Sequence, residues 1–269
     1  MKKILLLTLI IFYNISFGQF ENLKGNWVSE ENEMISIVGN EKSTLTSKIN
    51  SDDFYLKIKS DTLSFQSKYY TSSDNYKKVI IDRYDLKILD LNDSLLVVKP
   101  ISNFSKEFFG SENIITFKNQ EFINDKTFMF DKLVFHTSSC FGSCPIINLE
   151  IASDRNIKIN RSYIKDRTES SKDFEKSENF IGKIPEIEFK KLIELIIKSK
   201  ITTLKDTKDN NMFCCDGAIK TIIVYHNGKR NYFKAMFEPK MVSELIKFLY
   251  QIGGKTEMEK ASKEFKFEQ

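Results

Sequence analysis

Tyr84-Asp85-Leu86-Lys87-Ile88-Leu89-Asp90-Leu91 sets apolar against polar side chains, breaks at Asn92-Asp93-Ser94, and resumes as Leu95-Leu96-Val97-Val98-Lys99. Alternation of period two puts one set of side chains on each face of a strand. Asn, Asp and Ser bond their own backbone and so favour the turn between, which makes this stretch a β-hairpin. The same pattern recurs from Leu23 to about Phe122, at Trp27, Met34-Ile35-Ser36-Ile37, Phe54-Tyr55-Leu56-Lys57-Ile58-Lys59, Asp61-Thr62-Leu63-Ser64-Phe65 and Ile114-Ile115-Thr116-Phe117-Lys118. No sustained period of 3.6 residues interrupts it. Regularly spaced short strands predict an all-β antiparallel barrel or sandwich over residues 19–122.

The start of the chain sets the compartment. Met1-Lys2-Lys3 is basic, an apolar run follows from Ile4 to about Tyr13, and the small residues Ser16 and Gly18 precede Gln19. That is the pattern of a secretory signal peptide spanning residues 1–18, cut near Gly18-Gln19. The run falls short of the ~20 residues a membrane-spanning helix needs, and no cysteine stands near the cut to carry a lipid. The expectation is an exported protein, periplasmic or extracellular, with no membrane span. Loss of residues 1–18 removes two lysines and no acid, lowering the formal net charge from +4 to +2. Lysines alternate with Glu and Asp, as in Lys172-Asp173, without the basic stripe that a nucleic-acid binder presents.

At Leu23-Lys24-Gly25-Asn26-Trp27 the first half resembles the lipocalin-like domains of exported bacterial proteins, which open on a Gly-x-Trp strand and close on one of the Ile-Ile-Thr-Phe kind. The resemblance implies a barrel that either carries a small apolar ligand or is filled by its own side chains.

Asn119-Gln120 to Asn124-Asp125-Lys126 is polar and marks a boundary, after which the pattern changes. Lys132-Leu133-Val134-Phe135-His136 and Ile146-Ile147-Asn148-Leu149-Glu150-Ile151 read as strands, and Asp154-Arg155-Asn156 turns into Ile157-Lys158-Ile159-Asn160. The polar run Lys165–Asn179 reads as a surface loop. Glu186 to Ile197 has apolar residues at 189, 192, 193, 196 and 197, a helical stripe that starts after Pro185 with early glutamates. Ala218 to His226 and Lys229 to Phe237 flank Asn227-Gly228, the preferred pair for a type I′ hairpin. Met241 to Ile252 is a second helix, stopped by Gly253-Gly254. Residues 125–252 therefore read as an α+β domain, hairpin-helix-hairpin-helix, and residues 253–269 as a charged tail, frayed or disordered.

The four cysteines are Cys140 and Cys144, in Cys140-Phe141-Gly142-Ser143-Cys144-Pro145, and the adjacent Cys214-Cys215. In an oxidising compartment their first expected use is structural disulfides. Bonding neighbours Cys214 and Cys215 would close a strained ring, so the pairing containing it, which also joins Cys140 to Cys144, is the least expected. One or two cross-links from the loop to the Cys214-Cys215 turn are expected instead. Two alternatives use the same sulfurs. A metal could draw on Cys140, Cys144, Cys214 or Cys215 with His136 or His226, although Cys-x3-Cys is not the usual knuckle spacing. A redox thiol would favour Cys-x-x-Cys at a helix start, whereas this loop leads into a strand. Ile147 stands where an iron–sulfur motif would need a third cysteine. Gly142-Ser143-Cys144 is no nucleophile elbow, and Glu30-Glu31 and Glu186-Glu188 lie on solvated edges.

The run Ser139 to Ile146 resembles a bacterial family of exported domains of unknown function, which carries Cys-Phe-Gly-x-Cys-Pro between two strands and later a helix and an Asn-Gly-type hairpin. Asp216-Gly217 matches that family's acidic turn, while Asp154-Arg155 stands where it has Asp-Gly. The resemblance implies fold and location and brings no activity. The combined expectation is a non-enzymatic exported binding or interaction protein, without a cofactor, whose partner is an envelope protein or a small apolar ligand. Its candidate binding residues beside the loop are His136, Phe141, Gly142 and Asp216. A thiol- or metal-dependent enzyme centred on Cys140 and Cys144 is the alternative.

Overall fold

A computed structural model describes residues 22–39, 42–47, 51–140, 144–163, 176–204 and 217–268. The expected signal peptide lies outside these residues. The chain divides into two compact units, Met1–Ile123 and Asn124–Gln269.

In the first unit eight strands close a barrel in simple sequence order: β1 Gly25–Ser29, β2 Met34–Ile37, β3 Ser43–Thr46, β4 Ser51–Lys59, β5 Thr62–Tyr70, β6 Val79–Leu91, β7 Leu95–Pro100 and β8 Ile115–Asn119. Every neighbouring pair is antiparallel, and β1 meets β8 with Trp27 opposite Asn119 and Ser29 opposite Phe117. Closure removes the exposed edges that an open sheet must protect, and this up-and-down order is that of lipocalin-like barrels. The β6–β7 turn forms as expected: Asn92 Oδ1 accepts from the amides of Ser94 and Leu95 at 3.0 and 2.9 Å. Leu89 is the extra residue of a bulge between Ile88 and Asp90.

The apolar positions of these strands converge inside. Trp27, Phe65, Phe117, Leu45, Leu63, Leu86 and Leu96 are fully buried, and Trp27 satisfies its indole N–H by donating to Leu23 O at 2.8 Å. A short helix, α1 Asn103–Phe109, joins β7 to β8. It corrects the reading of an all-strand first half, because seven residues are too few to show a helical period. Its signals are local instead: a capping box between Ser102 and Ser105 and a left-handed Gly110 at the C-terminus. It lays Phe108 and Phe109 on the barrel core, with ring centroids 6.3 Å from Phe54 and 6.4 Å from Phe117 respectively. Burial of each ring is worth about 1.5–3 kcal/mol.

Among its described residues the second unit is one antiparallel sheet of seven strands backed by two helices. The strands are β9 Phe130–Thr137, β10 Ile146–Ala152, β11 Asn156–Tyr163, β12 Lys176–Lys183, β13 Lys220–His226, β14 Lys229–Ala235 and β15 Met258–Ala261, in the spatial order β14-β13-β9-β10-β11-β12-β15. The helices are α2 Glu186–Lys198 and α3 Ser243–Gln251. The sheet's helix-covered face carries Leu133, Phe135, Leu149, Ile151, Ile157, Ile159, Ile222 and Val224, all at most 1% exposed. Phe135 meets Tyr250 there and Phe130 meets Phe189.

Three expectations change here. The meander continues past a hairpin: β12 begins within the run read as a surface loop, since its Ser177, Asn179 and Ile181 suit a solvent-side face that needs no apolar stripe. The tail is ordered as well, because β15 pairs with β12, Gly182 opposite Met258, as a short charged edge strand. Gly253-Gly254 falls in a 3₁₀ turn, Ile252–Gly254, without the left-handed conformation of a helix stop. A Cβ at Gly253 would crowd the ends of the Arg161 and Ile159 side chains, which would have to shift. The Asn227-Gly228 turn forms as read, with φ of 51° and 68°. At Asp154-Arg155 the left-handed position is taken by Arg155, φ 72°.

Candidate functional site

Cys140 follows β9 and Cys144 precedes β10, and the two form a disulfide with Cα atoms 5.6 Å apart. This corrects the expected link from the loop to Cys214 or Cys215. The reason is the sheet: β9 and β10 are paired antiparallel strands, so their ladder brings the two ends within the 4.4–6.8 Å that a disulfide spans. Phe141, Gly142, Cys214, Cys215 and Asp216 lie outside the described residues.

A disulfide sulfur is not a thiolate ligand, so Cys140 and Cys144 are not available to a metal in this form. The two histidines are far apart. His136 stands opposite Thr221, five residues along β13 from His226, or ~17 Å at the rise of a strand. His226 is engaged at its own hairpin, with Nε2 2.8 Å from Asn231 Oδ1 and the ring stacked on Phe128. Among the described residues no three His, Cys, Asp or Glu side chains are grouped to hold a metal ion.

His136 instead sits in a row that crosses the sheet. Side chains alternate along each strand, and the register sets Lys234, Thr221, His136, Asn148, Asn160 and Asn179 opposite one another on six successive strands, with Ala261 completing the seventh. All project from the face that α2 and α3 leave open. The central members are bonded in series. His136 Nδ1 lies 2.8 Å from Asn148 Oδ1, Asn148 Nδ2 donates to Asn160 Oδ1 at 3.4 Å, and Asn160 Nδ2 donates to Asn179 Oδ1 at 2.9 Å and Ser177 Oγ at 2.6 Å.

The C-terminal segment lies on this face. Beyond β15, Phe265 and Phe267 are half-buried while Lys266 between them is exposed, the alternation of an extended chain. Phe267 stands edge-on to His136 with centroids 6.4 Å apart. His136 Nε2 donates to the main-chain carbonyl of Glu268. The Glu268 carboxylate meets three donors from three strands: Tyr225 Oη at 2.5 Å and Arg230 Nε at 2.9 Å, both to Oε1, and Lys132 Nζ at 3.2 Å to Oε2. Tyr225, Arg230 and Lys132 hold its pKa down at about 2, from an ordinary 4.5, against an opposing desolvation. Lys132 also lies over the Tyr225 ring, 4.6 Å from its centroid. The result is a cationic and aromatic clamp closed on a carboxylate.

Of the residues expected beside the cysteine loop, His136 alone is both described and placed in this cluster. Asn148, Asn160, Asn179, Lys132, Tyr225 and Arg230 belong to no sequence motif. A signal existed: asparagine is depleted in strands, yet it recurs here at the outward position of three successive ones. Phe265-Lys266-Phe267-Glu268 also has period two, within a tail read only by its charge.

Fold and face together define a two-unit architecture: a closed eight-stranded barrel, and a helix-backed antiparallel sheet with a polar, clamp-bearing open side. Residues 131–253 match the family described as Domain of unknown function (DUF6438). The match holds the disulfide, the two helices, the histidine row as far as Thr221 and Lys234, and the three clamp donors. It stops short of β15 and the segment that occupies the clamp. No curated protein matches the chain.

Proposed function

We propose that the protein is exported and that it is a non-enzymatic binding module, whose recognition surface is the open face of the second sheet. The signal-peptide pattern and the Cys140–Cys144 disulfide support the location. The observation that carries the binding reading is the convergence of Lys132, Tyr225, Arg230 and His136 on one extended segment, gripping both its carboxylate and its main chain. Bonds of this kind, charge-assisted and drawn from several strands of a rigid sheet, give recognition without a reaction. The barrel's interior holds its own side chains, so recognition is assigned to the sheet.

A photo-crosslinking residue at Ser177, exposed beside the polar row, tests this in the cell against one at Lys57, exposed on the barrel. Discrete adducts from position 177 alone are expected. Adducts of equal yield from both positions, or from neither, overturn it.

A further inference from the structure

Seven Cα-to-Cα steps lead from Ala261, on the edge strand, to Glu268. From β15 to β9 there are four strand spacings, about 19 Å, and seven extended residues reach about 24 Å. After a bend at Ser262-Lys263 the segment therefore crosses the strands rather than pairing alongside one, and it is held by side chains and by its Glu268 carbonyl. The floor under this face includes Val134 and Ile223, each fully buried although they project on the same side as His136 and Tyr225. Two aromatic rings at alternate positions, a carbonyl taken by His136, and a carboxylate taken by Lys132, Tyr225 and Arg230 make up a complete set of contacts for a short extended peptide. Every recognising residue lies within 131–253 and the recognised residues lie outside it.

We infer that the open face is a receptor for an extended segment of another protein, with apolar aromatic residues at alternate positions followed by a carboxylate, and that Phe265–Glu268 is an internal stand-in for it. This rests on the binding reading above and names its ligand class. Tethering gives the stand-in a high effective concentration, of order mM for a short linker, so the external segment binds only by displacing it.

The probe is a labelled, end-capped hexapeptide with the sequence of residues 263–268. It is titrated into the full chain and into the full-length variant Phe265→Ala, Phe267→Ala, Glu268→Gln. The variant is expected to bind at least about tenfold more tightly than the unaltered chain, and adding Arg230→Ala is expected to weaken that binding about tenfold, as loss of one charge-assisted bond does. If the triple variant melts below the assay temperature, Glu268→Gln alone takes its place. Equal binding to both chains, no binding to a folded variant, or indifference to Arg230→Ala would overturn the inference. Adducts from position 177 without peptide binding would leave the face as a binding surface and reject its ligand class. Peptide binding without adducts would keep the clamp's chemistry and reject the surface as the one used in the cell.

Discussion

Arg230, on β14, donates from Nε to Oε1 of Glu268 at 2.9 Å, and Tyr225 on the neighbouring strand donates to the same oxygen. Two donors on one oxygen and Lys132 on the other leave the carboxylate little reason to take a proton. A group whose pKa is lowered on folding contributes stability above its unfolded value and loses it as pH falls through the folded one. Attachment of residues 262–268 should therefore be complete above pH 4.5 and weaken as pH drops towards about 2. Amide exchange over this segment checks it. Glu268→Gln should loosen the segment by about 1 kcal/mol at neutral pH, a figure reduced for partial exposure, and should abolish the pH dependence in that range.

Arg155 holds a left-handed φ of 72° in the β10–β11 turn, its N–H bonded to Ala152 O at 3.0 Å and its carbonyl accepting from Ile184 N at 2.9 Å. A residue with a Cβ loses about 1 kcal/mol there relative to glycine. Arg155→Gly keeps both main-chain bonds and should raise the stability of the second unit by up to about 1 kcal/mol, after the glycine's own entropy cost. Denaturant midpoints decide it, and a lowered midpoint would show that the arginine side chain outweighs the strain.

Asn227 works as a turn residue and as a clasp. Its Oδ1 accepts from Met129 N at 2.8 Å and its Nδ2 donates to Thr127 O at 2.7 Å. Asn227→Gly preserves the positive φ and loses both bonds, for an expected cost of about 1–2 kcal/mol. Asn227→Ala loses the conformation as well and should cost about 1 kcal/mol more. If the two variants were equally stable, the positive φ would count for nothing here.

The Cys140–Cys144 bond closes a ring of five residues, which the chain-entropy relation values at about 2 kcal/mol. Proteolysis of the unreduced protein should yield a fragment cross-linked between these two cysteines, with no mixed fragment joining either to Cys214 or Cys215. Cys140→Ser with Cys144→Ser should lower stability by about that amount.

The hairpin at Asn92-Asp93-Ser94, the helix after Pro185 and the Asn227-Gly228 turn were all legible, because each is dictated by neighbours in the chain: side-chain caps, a fixed proline φ, a left-handed pair. The strand character of β4 to β8 was legible for the same reason, since period two needs only a half-buried surface. The helix at Asn103–Phe109 was not, because seven residues, about two turns, fall short of the stretch over which a helical period shows. The disulfide was not legible, because ring strain between neighbours is a property of the cysteines alone, whereas the β9–β10 ladder sets which sulfurs meet.

The candidate site divides in the same way. By itself the sequence determined the strands that carry His136, Asn148 and Asn160, and it held the alternation of Phe265-Lys266-Phe267-Glu268, because these follow from the two-residue repeat of an extended backbone. Only the tertiary structure decided that Lys132, Tyr225 and Arg230, nearly a hundred residues apart at the extremes, share one carboxylate, and that a charged tail completes the sheet and crosses it. Register between distant strands is set by the packing of the opposite, apolar face, where Phe135, Leu149 and Ile222 meet. A shift of one residue would turn every polar group of the row into that core.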